Sequence, residues 1–225
     1  MADAHGAAAP HALPADLQHQ FESLDQQQDA ASFGMWVFIV TEILFFGGLF
    51  LAYTIYRWQF GAGFARGSVE MDIVAGTANT AILIGSSLTM AMAVHSAAKG
   101  KRRALLLFLA LTIALGGAFL GVKAIEYTDH IRHHLLPGPG FRHAGPDARA
   151  VEMYFTLYFT MTGLHALHMI VGIGILSTLF VMAWRGRFTA EYHNPVEISG
   201  LYWHFVDIVW IFLFPLLYLI GRHAR

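Results

Sequence analysis

Five ionisable side chains stand inside long apolar runs: Glu42, His165, His168, His204 and Asp207. If those runs cross a bilayer, each such group costs about 2.5–3.5 kcal/mol on insertion scales and requires a partner or a task. Glu42 has Phe38, Ile39, Phe45 and Phe46 as its neighbours three and four residues away along a helix. That shell favours the neutral carboxyl, so Glu42 reads as a proton carrier, a pump residue or a lipid-headgroup contact. The bland alternative is a protonated carboxyl hydrogen-bonded to a neighbouring helix. Asp207 follows His204 at the three-residue spacing where helix side chains meet, which suits a proton relay, the outer shell of a metal, or a satisfied pair clamping two helices.

His165 and His168 are also three apart on one helix face, and His95 lies near the end of another apolar run. Three such histidines could ligate haem or a dinuclear metal. However, no carboxylate precedes a histidine by three residues within any run, the arrangement used by di-iron bundles. Interhelical hydrogen bonding is therefore the expected use of these histidines, and no metal is expected on them. Lys123 and Glu126, three apart and followed by Asp129 and His130, read as an interfacial charge cluster where a helix leaves the membrane. Asn79, Thr80, Ser86, Ser87 and Thr89, set among glycines and alanines, read as ordinary close helix packing.

The elements that must position these groups follow from hydropathy. The chain is 56% hydrophobic and only 13% charged, against about 25% charged in soluble domains, and its mean hydropathy is +0.51. A span needs about 20 mostly apolar residues. Phe33–Tyr56, Ile73–Val94, Ala104–Val122, Met153–Trp184 and Leu201–Ile220 qualify. Runs this long exceed strand length, and a bilayer interior admits only helices or closed barrels. The expected fold is all-α, a polytopic bundle of five transmembrane helices over residues 33–225 behind a polar tail over 1–32. The segment Ala15–Gln28 is a possible short helix too polar to insert, and Ile125–Ala150, with its Pro and Gly residues, is the one long loop, into which the third helix can continue past the headgroups.

Composition also excludes functions. The 14 Lys and Arg balance 15 Asp and Glu, so there is no basic field for nucleic acid. Cysteine is absent, which removes disulfides, thiolate metal sites, iron–sulfur clusters and thiolate-bridged copper. Met1–Ser32 holds no Lys or Arg, unlike a secretory signal. Four cations crowd the turn between the second and third spans, Lys99, Lys101, Arg102 and Arg103, which favours a cytoplasmic N-terminus by the positive-inside rule. No repeat or pair of broken helices supports the rival reading of a proton-coupled transporter using Glu42 and Asp207. A membrane haem held by His165, His168 or His204 is the other rival.

Four segments carry a family resemblance. GMWVFIVTEILFFGGLFLAY (Gly34–Tyr53), NTAILIGSSLTMAMAVHSA (Asn79–Ala97), TGLHALHMIVG (Thr162–Gly172) and YWHFVDIVWIFLFPLLY (Tyr202–Tyr218) resemble, in order and spacing, subunit III of the haem-copper oxidases. The resemblance covers roughly Asp25 to the C-terminus. It implies an accessory subunit of a proton-pumping respiratory terminal oxidase in a bacterial plasma (inner) membrane. Such a subunit carries no haem or copper of its own, packs with the catalytic subunit I and with subunit II, and binds phospholipid in a cleft between helices. It implies that Glu42 is the family's buried glutamate near lipid and subunit I, and that Asn79, His95, His165, His168, His204 and Asp207 are signature positions. Glu126 matches an acidic residue ending the third helix. The chain lacks two helices that precede these in the longer form, which puts half of the lipid cleft in question. Five-helix forms also occur in quinol oxidases and in a protein accompanying nitric oxide reductases; TEILFF and FPLLYLIGRH resemble the cytochrome c branch. The absence of cysteine, and five spans whose histidines are too scattered to hold two haems and a copper, point independently to an accessory role.

Overall fold

The computed structural model describes residues 19–143, 145 and 147–219. The first part of the expected tail, Ile220, and the C-terminal Arg222 and Arg225 lie outside the described residues. Six α-helices follow one another: α1 (Leu24–Gln59), α2 (Gly61–Val69), α3 (Ile73–Ala98), α4 (Arg102–Arg132), α5 (Ala148–Trp184) and α6 (Asn194–Phe214). α6 runs into a π-helical turn, Pro215–Leu219. Five of these helices, α6 being counted with its π turn, are long and apolar enough to cross a membrane, and α2 is not. The fold is thus the all-α multi-span bundle that the apolar runs predict.

Three boundaries differ from the sequence expectation. No separate helix occupies Ala15–Gln28 in its described part; α1 begins at Leu24 and runs unbroken to Gln59. A reciprocal cap sets that start. Ser23 Oγ accepts from the Gln26 N–H at 3.2 Å, and Gln26 Oε1 accepts from the Glu22 N–H at 2.7 Å. α4 continues past Ile125 to Arg132, so the long loop shrinks to residues 133–147. The third difference is α2, a glycine-rich helix that hydropathy does not reveal. Its Gly63 and Gly67 press against α5: an added methyl would lie 2.3 Å from the Ala150 Cβ and 2.4 Å from the Tyr154 ring.

Packing is uneven. α3 lies chiefly against α4, and α6 fits between α3 and α5. Trp203 on α6 fills the centre. A methyl on Gly116 of α4 would sit 2.8 Å from its indole, and one on Gly172 of α5 would sit 2.9 Å away. The indole N–H donates to Ser86 Oγ on α3 at 2.9 Å. One Trp therefore ties four helices together, and only small residues let the backbones approach it. α1 is peripheral: 11% of its most apolar window is buried, against 56% for α6. Its Phe33, Trp36, Leu44 and Leu51 side chains point outward.

Candidate functional site

The polar groups gather in two places. The first lies deep between α4, α5 and the π turn. Lys123 and Glu126, expected at the interface, are instead buried, with side chains 5% and 4% exposed. This corrects the interfacial reading. The physical reason is the arrival of two tyrosines from distant sequence. Lys123 Nζ donates to Glu126 Oε2 at 2.9 Å, to Tyr158 Oη at 3.0 Å and to Tyr218 Oη at 2.8 Å. The two tyrosine hydroxyls in turn donate to Glu126 Oε1, at 3.0 Å and 2.5 Å. All three ammonium hydrogens and both phenolic hydrogens have acceptors, so the inventory closes. The ammonium also lies 5.0–5.5 Å from the ring centroids of Tyr127, Tyr158, Trp210 and Tyr218, where ring faces attract a cation.

The π turn aims Tyr218 at this site. Pro215 has no N–H and disturbs the helical ladder, and the following turn widens. Two other tyrosines take up its carbonyls: Tyr53 Oη donates to the Leu216 carbonyl at 2.8 Å and Tyr154 Oη to that of Leu217 at 2.7 Å. His130 closes the outer end. Its ring stacks on Tyr158 at 5.5 Å, its Nδ1 meets the Glu126 carbonyl at 2.6 Å, and its buried Nε2 has no partner.

The second place is a groove on the bundle's flank. Glu42 on α1 and His168 on α5 meet there, Oε2 to Nε2, at 3.2 Å, with side chains 18% and 16% exposed. His168 Nδ1 is engaged by the Leu164 carbonyl at 2.8 Å, so the ring is held at both ends. A shallow cavity of about 340 Å³ opens on the pair between Met35, Phe38, Leu167, Val171 and Tyr202. Around the other side of α1, against α6, runs an apolar groove of about 520 Å³ lined by Trp36, Ile43, Phe50, His204, Ile208 and Phe212 among others.

The remaining candidates are scattered. Asp207 is buried, but His204 does not pair with it, contrary to the clamp read from their spacing. His204 Nδ1 is taken by Ser87 Oγ at 2.7 Å; the same Ser87 lies toward Asp207, whose oxygens make no well-formed hydrogen bond. Both nitrogens of buried His165 are likewise unpartnered. Its ring instead packs on Phe119 and Trp210 at 5.4 Å and 5.3 Å, so the expected interhelical hydrogen bond is absent there. Of the paired histidines only His168 reaches another helix through its ring nitrogens. Asn79 is buried and its Nδ2 donates to the Phe119 carbonyl at 3.5 Å, while His95 is exposed on α3. Among the described residues no three His, Asp or Glu side chains converge as a metal would need. Sequence reasoning missed Tyr158 and Tyr218. The available signal was a tyrosine inside an apolar run, since a buried phenol looks for a partner.

Fold and site define an α-helical multi-pass membrane protein in which Lys123 and Glu126 are paired inside the bundle, while Glu42 stands at a groove. Residues 18–222 match the family model described as cytochrome c oxidase subunit III. The chain is 35% identical over 201 residues to cytochrome c oxidase subunit 3 of Thermostichus vulcanus, covering 88% of this chain and 90% of that one. It is 30% identical over 221 residues to cytochrome bo(3) ubiquinol oxidase subunit 3 of Pseudomonas aeruginosa, covering 98% and 95%. With cytochrome c oxidase subunit 3 of Carassius auratus it shares 33% over 199 residues, 85% of this chain and 70% of that one. The chain belongs to the cytochrome c oxidase subunit III family, and so is a subunit III of the haem-copper oxidases, a component of a respiratory oxidase complex.

Proposed function

We propose that the chain is the accessory, redox-silent subunit of a proton-pumping terminal oxidase supplied by cytochrome c. It lies in a bacterial plasma membrane with its N-terminus in the cytoplasm. Its partners are the catalytic subunit I and subunit II. Its α1–α6 groove takes a phospholipid acyl chain, and its Glu42 side supports proton uptake by subunit I. The observation that carries this reading is α1: a long apolar helix with most of its surface uncovered, bearing one carboxylate tethered by His168 at a groove. Such a face suits contact with another membrane subunit, and a subunit that binds the native catalytic chain stabilises it by mass action.

The test is dioxygen consumption against time for the complex with and without this chain, at matched haem. The stripped complex keeps its haem spectrum and much of its initial turnover, inactivates faster during turnover, and takes up protons more slowly at high pH. Loss of haem reduction or of the first turnovers on removal would overturn the reading. Singly changing His165, His168 and His204 to Gln leaves the complex's haem and copper content unchanged; loss of either metal in proportion to retained subunit would count against it. Because one similar protein is a ubiquinol oxidase subunit, the electron donor is assigned by comparing cytochrome c and quinol oxidation in the co-purified complex.

A further inference from the structure

The α1–α6 groove has neither Lys nor Arg in its lining, so it can hold an acyl chain but offers no cation to a phosphate. The cations lie elsewhere. Lys99, Lys101, Arg102 and Arg103 occupy the α3–α4 turn, and Arg185 and Arg187 occupy the turn after α5. Both turns sit at the same end of the bundle and touch. Arg102 donates from Nε to the Ala183 carbonyl at 3.0 Å and from its terminal nitrogen to the Trp184 carbonyl. A methyl on Gly186 would lie 3.9 Å from that guanidinium.

The turns are stiff. α3 and α5 each end in a left-handed glycine, Gly100 at φ 64° and Gly186 at φ 74°. The next residue closes a six-residue ring: the Lys101 N–H reaches the Ser96 carbonyl at 2.9 Å, and the Arg187 N–H reaches that of Met182 at 3.1 Å. Among the described residues none of the six cations forms an ion pair with a carboxylate. All six are exposed. Like charges gathered at one end of the bundle attract a counter-anion.

We infer that these two turns form a docking surface for the phosphate headgroup of an anionic phospholipid. A depression of about 640 Å³ lies at the first of these turns, lined by Lys101, Arg102, Arg103, Ala104 and Leu106. Leu107 is exposed on the same helix and Trp184 is exposed beside the second turn. Cations at the helix end, aliphatic side chains following them along α4, and a Trp beside the second turn match a charged headgroup and its acyl chain. A soluble anion has no use for the apolar part. This surface rests on the chain's being a multi-pass membrane protein and not on its partners or on electron transfer.

The test is native mass spectrometry of the intact detergent-purified complex after exchange into phosphatidylglycerol or phosphatidylcholine. The wild type retains phosphatidylglycerol on this chain through delipidation and releases phosphatidylcholine. The K101Q/R103Q/R187Q variant, which leaves the Arg102 contacts in place, weakens phosphatidylglycerol binding about 100-fold, and K101R/R103K/R187K restores it. Restoration by the charge-preserving variant separates loss of the site from loss of folding. Equal retention of the two lipids, or an unchanged Gln variant, would overturn the inference. Displacement of phosphatidylglycerol by millimolar inorganic phosphate would also overturn it, by assigning the surface to a free anion. If the chain separates from every haem-bearing partner yet retains the lipid, the accessory-subunit proposal fails and this one stands.

Discussion

Two glutamates in this chain meet opposite fates. Glu126 is sealed inside the bundle with a lysine and two phenols, and each of its oxygens is engaged by donors. Glu42 stands on the least buried helix, with one histidine 3.2 Å away and a groove open beside it. A buried carboxylate that shares a closed hydrogen-bond inventory is committed to holding helices together. One that keeps an open side remains available to solvent, lipid or a partner. The difference is in how many groups converge, not in depth along the helix.

Breaking the closed site has the largest expected effect. Lys123→Met leaves Glu126 buried without its cation and lowers stability by about 3–5 kcal/mol, read as the unfolding midpoint of the purified chain in mixed micelles. The double variant Lys123→Met/Glu126→Leu recovers most of that loss, because no charge remains uncompensated. A double variant as unstable as the single one would mean that the pair contributes more than mutual neutralisation. Next come Tyr158→Phe and Tyr218→Phe. Each removes one donor to Glu126 and one acceptor from Lys123, at about 1–3 kcal/mol. If the two losses simply add, with no coupling in a double-mutant cycle, the network is not a unit.

The smallest effect on stability belongs to the open site. Glu42→Gln keeps the size and a hydrogen-bonding group near His168, and at a partly exposed pair the change is within about 1 kcal/mol. Its signature is sought in turnover-linked proton uptake by the assembled complex. A loss of stability matching that of Lys123→Met would erase the distinction between the two glutamates.

How much of this was legible follows from the range of each signal. The five spans were readable because 20-residue apolar runs are a local property. α2 was not, since its stability comes from Gly63 and Gly67 meeting α5, and a small-xxx-small spacing in so short a segment is easily passed over. The Lys123–Glu126 spacing is visible in the chain, but its burial depends on Tyr158 and Tyr218, which are 35 and 95 residues from Lys123. His204 and Asp207 showed the opposite failure. Their spacing was local and correct for a pair, yet Ser87, 117 residues from His204, took the histidine.

The 92 residues that separate Glu126 from Tyr218 have a consequence for biogenesis. Lys123 and Glu126 leave the ribosome long before the phenol that completes their site. During insertion they have only each other, and their three-residue spacing lets α4 enter the bilayer as a self-neutralised segment. The bundle is then fastened by the π turn that carries Tyr218. A ribosome that stalls or a protease that trims a few residues before Tyr218 leaves Lys123 short of an acceptor and Glu126 short of a donor. The interior around Lys123 and Glu126 thus closes late, when the π turn brings Tyr218 to them.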